Sequence, residues 1–194
     1  MHKALSPFEE DERRRSKMGT RTVRAARRFN ATPAQVFEAW IDPDIARQWL
    51  FATAQHQVAR LDVDARIGGR FRALDIRDGA SANYVGQYLE IVSPRRLAFT
   101  LALPESTATA TCVSVAIAAV KAGAKIALVH EDVPAALASG MKMRWAGMLY
   151  GLALLLEARA RQSKNFDRRH CRFQPPPIDY VKGPSTFHTT GSEP

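Results

Sequence analysis

Hydrophobic and polar positions alternate along the middle of the chain and follow a helical period on either side of it. Residues 22–29 are strand-like, and four apolar residues within 36–41 then fall on one face of a helix. Six further strand-like runs between residues 56 and 133 are separated by turn signals. A last apolar helical pattern covers about Met143 to Gln162. The pattern predicts a strand, two short helices, six strands and a long helix.

Each of the two short helices begins with a capping signal. Thr32 is a good N-cap, Pro33 occupies the first helical position, and Gln35 completes a capping box three residues after Thr32. Asp42 and Pro43 repeat the cap-then-proline pattern and predict that a second helix begins at once. One strand therefore leads into two short, abutting helices.

Short connections between the six later strands exclude parallel crossovers and predict an antiparallel meander. Asp78-Gly79 is a hairpin signal, and Gly68-Gly69 suggests a bulge or sharp bend of the kind that a curved sheet needs. Gly147 and Gly151 are interpreted as small residues that let the last helix approach the sheet. The residues predicted on the buried side of that helix are Trp145, Met148, Leu149, Leu152, Leu155 and Leu156.

Length and composition suit one globular domain with tails. We expect a disordered N-terminal tail over 1–20, a folded body over 21–163 and a disordered, proline-containing tail over 164–194. Met18 is an alternative start for the chain. The net charge of +9 is spread along the chain without a run of five like charges, which argues against a nucleic-acid interface.

Neither the cysteines nor the apolar runs indicate export or membrane insertion. Cys112 and Cys171 follow no disulfide or metal pattern, which fits a reducing, cytoplasmic setting. The N-terminus has no apolar core of a signal peptide or an anchor, and the longest apolar helical run, Trp145 to Leu156, is too short to span a membrane. We therefore expect a cytoplasmic protein without a membrane span.

The order of these motifs resembles the helix-grip fold of the START, birch-pollen-allergen and polyketide-cyclase (SRPBCC) superfamily. Within it, the chain is most similar to the group named after the activator of the heat-shock-chaperone ATPase. The resemblance spans about residues 22–160. It departs at Arg144, where the family usually has glycine, and at Leu50, where a large aromatic is common. The matching residues are Arg28-Phe29, Ala31, Val36-Phe37, Ala39-Trp40, Asp42-Pro43, Trp49, Gly68-Gly69, Phe71, Asp78-Gly79, Gly86, Glu90, Pro94, Leu97 and Trp145.

The resemblance implies an α+β fold in which a curved antiparallel sheet of about seven strands grips the long C-terminal helix. It also implies an apolar cavity between sheet and helix that takes a small hydrophobic molecule. Small residues in the strand at 109–120, together with Met141, Met143 and Met148, support such a cavity. The residues expected to line it are Trp49, Phe71, Asp75, Tyr84, Tyr88, Phe99, His130, Trp145, Met148, Leu149 and Leu152.

Candidate chemistry is limited to two residues. No histidine stands at metal-ligand spacing and no phosphate or dinucleotide loop is present, so no metal or cofactor is predicted. His130 is either a general base near the cavity rim or a histidine satisfied at the end of its strand. Asp75 is a buried acid if Phe71 and Ala73 face the cavity, and solvated if Leu74 and Ile76 face it instead.

Three functions follow from this pattern. The first is a non-catalytic module that binds, sequesters or senses a small hydrophobic molecule, with a homodimer left open. The second is a cyclase- or aromatase-type enzyme that uses Asp75 or His130. The third is a chaperone-binding module that stimulates an ATPase. Fold alone does not choose between them.

Overall fold

The computed structural model describes residues 19–52, 58–77, 80–102 and 110–170, except for the side chains of 77, 80 and 164–170. The strands are β1 (Thr20–Phe29), β2 (Arg60–Val63), β3 (Arg70–Arg77), β4 (Ala80–Val92), β5 (Arg96–Leu101), β6 (Thr111–Val120) and β7 (Gly123–Pro134). The helices are α1 (Pro33–Ile41), α2 (Pro43–Ala46) and α3 (Ala135–His170).

The seven strands form one antiparallel sheet in the order β1-β7-β6-β5-β4-β3-β2. The predicted α+β helix-grip architecture, with two short helices after β1 and a long last helix, is confirmed. Most of the tails predicted at 1–20 and 164–194 lies outside the described residues. The predicted turn at Asp78-Gly79 also lies outside them, between the paired ends of β3 and β4.

Both predicted caps are present. The backbone N–H of Gln35 donates to Thr32 Oγ1 at 3.3 Å, and the Gln35 side chain accepts from the Thr32 backbone N–H at 2.9 Å. Asp42 Oδ1 accepts from the backbone N–H groups of Asp44 at 2.8 Å and Ile45 at 3.2 Å. The two helices therefore begin where the sequence predicts, because each cap satisfies N–H groups that lack intrahelical partners.

Strand β4 bends the sheet. Its first part, up to Gln87, pairs with β3, and its last part, from Tyr88, pairs with β5, with a register shift between Tyr88 and Glu90. Gly86 lies just before that shift, where a Cβ would meet the Thr100 carbonyl oxygen and the Phe71 ring. Glycine is thus required by close approach at the position where the strand changes partners.

The glycine pair between β2 and β3 forms a turn that closes onto β4. Gly68 has φ +79°, in the left-handed region that favours glycine. Its N–H donates to the Tyr88 carbonyl at 2.8 Å, and the Tyr88 N–H donates to the Gly69 carbonyl at 2.9 Å. These bonds hold the turn between β2 and β3 against the bent strand.

Helix α3 is longer at both ends than the pattern over 143–162 predicts. It begins at Ala135, directly after β7, and its run to His170 carries it past the boundary expected at 163. Its first eight residues, AALASGMK, contain no capping signal and no clear apolar period, so the sequence does not mark the start.

One face of α3 packs on the sheet and the opposite face is exposed. The residues predicted on the inner face are buried, except that Leu155 is half-buried. Two interpretations were wrong: a Cβ at Gly147 or Gly151 would meet nothing within 4 Å, and Met143 is 75 % exposed. Neither close approach to the sheet nor a cavity lining therefore explains these three residues.

Candidate functional site

Alternate residues of β3 lie on the inner face of the sheet, which packs against α1 and α3. The burial of the β3 side chains shows which alternate set this is. Phe71, Ala73 and Asp75 are buried, whereas Ile76 is 51 % exposed. Asp75 itself is only 3 % exposed. Of the two registers open to the sequence, the one that buries the Asp75 carboxyl group is therefore present.

Strand β4 contributes two tyrosines to the same face. Tyr84 pairs with Ala73, and Asp75 pairs with the residue two positions before Tyr84, so the carboxyl and phenol groups are diagonal neighbours on one face. Tyr88 lies further along β4 and is also buried. Burial raises the pKa of Tyr88 to about 12, because the phenolate would be poorly solvated there.

Aromatic rings from α1, the segment after α2, β3, β4, β5 and α3 converge between the sheet and the helices. We call this group the aromatic cluster; its members are Trp40, Trp49, Phe51, Phe71, Tyr84, Tyr88, Phe99 and Trp145, all buried. Phe71 lies at its centre, with ring centroids 5.4 Å from Phe99 and 5.7 Å from Tyr88. Phe99 in turn lies 6.2 Å from Trp40. The cluster forms a continuous aromatic interior.

At one end of the cluster, Phe51 and Tyr84 stack face to face, with centroids 4.3 Å apart and planes 6° from parallel. Phe51 has φ +59°, an unusual value for an aromatic residue, and its backbone N–H donates to Met148 Sδ at 3.1 Å. Arg144 Nη1 donates to the Tyr84 hydroxyl at 3.3 Å, and Arg144 is exposed. The Tyr84–Arg144 hydrogen bond therefore joins the aromatic cluster to an exposed side chain.

At the other end, His130 is fully buried and hydrogen-bonded through both ring nitrogens. Trp145 Nε1–H donates to His130 Nδ1 at 3.1 Å, so the proton of the neutral ring is on Nε2. Nε2–H therefore donates to Thr111 Oγ1 at 2.7 Å, and the Thr111 hydroxyl donates to the Leu101 carbonyl at 2.7 Å. The four groups form a relay in which each donor has an acceptor.

Desolvation in this relay lowers the pKa of His130 to about 4. A second ring proton would have to sit on Nδ1, where it would face the Trp145 N–H. The geometry matches a histidine satisfied at its strand, because neither nitrogen offers a free lone pair or proton to a reacting group.

The indole N–H groups of the three tryptophans are not equivalent. Trp49 Nε1–H donates to the Ala39 carbonyl at 2.9 Å, and Trp145 donates to His130. Trp40 Nε1 is also buried, yet it has no hydrogen-bond partner within the described residues. An unsatisfied buried donor of this kind typically costs about 1–3 kcal/mol.

All eleven residues expected to line a cavity are buried. All of the Trp, Phe and Tyr members lie in the aromatic cluster, and Asp75 lies beside Tyr84. His130 lies in the relay with Trp145, while Met148, Leu149 and Leu152 come from the inner face of α3.

Sequence reasoning missed four residues that shape this region: Trp40, Phe51, Thr111 and Arg144 as a partner of Tyr84. The sequence pattern places Trp40 only on the apolar face of a helix. The large aromatic expected next to Trp49 is displaced by one position, from Leu50 to Phe51, and a search one residue further would have found it. Thr111 gives no local signal, because its partners lie ten and nineteen residues away.

The described residues contain neither a metal-binding cluster nor a membrane-spanning helix. Across 19–52, 58–77, 80–102 and 110–163, no group of three or more His, Cys, Asp or Glu residues is placed to hold a metal ion. In the same part of the chain, no helix combines the length and apolar character needed to cross a membrane.

Comparison with known proteins identifies the family. The family model described as activator of Hsp90 ATPase homolog 1-like protein (AHSA1) matches residues 30–157. This chain belongs to the AHSA1-like family. The AHSA1-like family lies in the SRPBCC superfamily, so the resemblance stated from the motifs is confirmed. No match was found among curated proteins.

Solved structures share the fold of this chain. A crystal structure of a Chromobacterium violaceum protein is 27% identical, has a TM-score of 0.65, and matches 70% of this chain and 96% of its own. A protein from Rhizobium leguminosarum is 28% identical, with a TM-score of 0.62 and coverage of 71% and 95%. An AHSA1-like protein from Aeromonas hydrophila shares the fold at 21% identity, with a TM-score of 0.63 and coverage of 72% and 94%.

Proposed function

We propose that this AHSA1-like protein is a non-catalytic module that binds a small hydrophobic molecule between the inner face of the sheet and α3. The observation that carries the proposal is the aromatic cluster, in which rings from six parts of the chain meet in one interior. Ligand sites are mostly apolar and aromatic, with a few placed polar groups. Here the polar groups near the cluster are Asp75, the Tyr84–Arg144 pair and the relay of His130.

The Tyr84–Arg144 pair is the proposed place of access. Tyr84 belongs to the buried stack with Phe51, whereas Arg144 is exposed, so this hydrogen bond joins interior and solvent. A guest that displaces the Arg144 side chain would meet the Phe51–Tyr84 stack first. We place the protein in the cytoplasm on the ground that its two cysteines follow no disulfide pattern.

Native mass spectrometry of the full chain, purified gently from its own host, tests the proposal. We expect a stoichiometric low-mass adduct that organic extraction releases and identifies. The test variant is Ala73→Leu, which adds volume at a fully buried position of the inner face. Overpacking of this kind costs about 1–3 kcal/mol, so a thermal melt must show that the variant is folded.

Ile76→Leu is the matched control, since Ile76 lies on the same strand but faces solvent. The adduct should persist in Ile76→Leu and be lost in Ala73→Leu. An apo mass for the wild-type chain, or an adduct that survives Ala73→Leu unchanged, would contradict binding on the inner face.

A second candidate function is an acid–base enzyme, which the burial of Asp75 on the inner face favours. A carboxyl group in such a place suits proton transfer to or from an apolar substrate. The test offers the extracted compound to the full chain and follows its conversion. Asp75→Asn should abolish turnover while Asp62→Asn, at an exposed position of β2, should not. Equal turnover by both variants would exclude this role for Asp75.

A further inference from the structure

The Trp40 indole N–H stands apart from the other buried donors of the aromatic cluster. The chain has three tryptophans, and the structure gives an acceptor to two of them: the Ala39 carbonyl to Trp49, and His130 Nδ1 to Trp145. Trp40 is 1 % exposed, and its Nε1 has no partner within the described residues. Buried indole N–H groups usually find an acceptor.

The surroundings of Trp40 restrict what such an acceptor can be. Its ring lies 4.7 Å from that of Trp49 and 6.2 Å from those of Phe99 and Trp145. The rings that surround it are uncharged. Against these uncharged rings, an anionic acceptor would lose its hydration, which is strongly unfavourable. An uncharged oxygen loses much less hydration and can accept the indole proton.

We propose that the hydrophobic guest carries an uncharged acceptor oxygen, a carbonyl or an ether, which receives the Trp40 Nε1–H within the aromatic cluster. The inference rests on the proposed function and narrows it to a class of ligand. The aromatic surroundings supply apolar affinity for the body of the guest, and the Trp40 N–H, which has no partner within the described residues, orients it.

A matched pair of probes tests the inference: 2-acetylnaphthalene, and 2-isopropenylnaphthalene, in which a CH₂ group replaces the carbonyl oxygen. Their affinities for the full chain are measured by calorimetry. One hydrogen bond between uncharged groups corresponds to about a three- to tenfold preference for the ketone. Trp40→Phe keeps an aromatic ring and removes the donor, so the ketone and the olefin should bind this variant about equally. Tyr150→Phe, which removes an exposed hydroxyl on the outer face of α3, should leave the preference unchanged.

A spectroscopic measurement makes the inference testable even where Trp40→Phe fails to fold. With ¹⁵N-labelled tryptophan, the three indole groups give three N–H resonances. The ketone should shift the Trp40 resonance downfield, and the olefin should not.

The outcomes separate the two proposals. Equal affinity of the wild-type chain for both probes, with no selective shift of the Trp40 resonance, would overturn the acceptor-oxygen inference and leave hydrophobic binding intact. Failure of both probes to bind would overturn the inference together with binding in the aromatic cluster. A preference for 2-naphthoate over the ketone would also overturn it, because the proposed acceptor is uncharged.

Discussion

Acidification should destabilise this protein through His130, and the relay allows the effect to be worked out. The folded-state pKa of His130 is lowered to about 4, against an ordinary value of 6.5. Between these values the unfolded chain binds a proton that the folded chain does not. Stability therefore falls as the pH falls from about 6.5 towards 4, and it levels off below that.

The magnitude follows from the size of the shift. Each unit of pKa difference is worth about 1.4 kcal/mol, so the full loss below pH 4 is about 3 kcal/mol. Between pH 7.5 and pH 5.0 the expected loss is about 2 kcal/mol. Physically, protonation puts a charge on a fully buried ring and places a proton on Nδ1, which breaks the hydrogen bond from Trp145.

The assay is urea unfolding of the full chain at pH 7.5 and pH 5.0, followed by tryptophan fluorescence and circular dichroism. The comparison variant is His130→Gln, whose amide can accept and donate hydrogen bonds but does not titrate. Carboxyl groups contribute to both proteins and cancel in the difference. We expect the wild-type chain to lose about 2 kcal/mol more than the variant over this interval. An equal loss in the two proteins would refute the assignment of His130 as a neutral, buried relay member.

Two further predictions concern the fold. Gly86→Ala should destabilise the protein by about 2 kcal/mol or more, since its Cβ would meet backbone and a buried ring. Gly147→Ala, in open space on α3, should instead stabilise it by up to about 1 kcal/mol, and thermal melts that rank the two alike would contradict the close approach at Gly86. Thr32→Ala should cost about 1 kcal/mol by removing the capping box of α1, while Thr32→Ser should cost little; urea titrations that show no difference between them would count against the cap.

Local chemistry along the chain was sufficient for much of the architecture. Thr32 and Asp42 mark the starts of α1 and α2 because a side-chain cap acts on backbone groups only two or three residues away. The apolar period on the inner face of α3 is equally local, since residues three and four apart share a face. The motif order that relates the chain to the AHSA1-like family also lies in the sequence, so the fold can be predicted from the sequence.

Other features depend on contacts between residues that are distant in sequence. Asp75 faces inwards and Ile76 outwards because β3 pairs with β2 and β4 in one register, and either parity offers apolar residues to the core. The start of α3 at Ala135 follows from where β7 ends, since the first residues of the helix carry no signal of their own.

The candidate site shows most clearly which features are local in the sequence and which depend on tertiary contacts. Aromatic residues can be picked from the sequence, but their hydrogen-bond partners cannot. His130 meets Thr111 through the pairing of β6 with β7, and it meets Trp145 only because α3 packs across the sheet. In the folded chain the indole N–H groups of Trp49 and Trp145 have acceptors, whereas that of Trp40 has no partner within the described residues. The residue types were present in the sequence, and the tertiary packing alone decided which polar groups are paired, because each pairing joins elements that the chain brings together only when it folds.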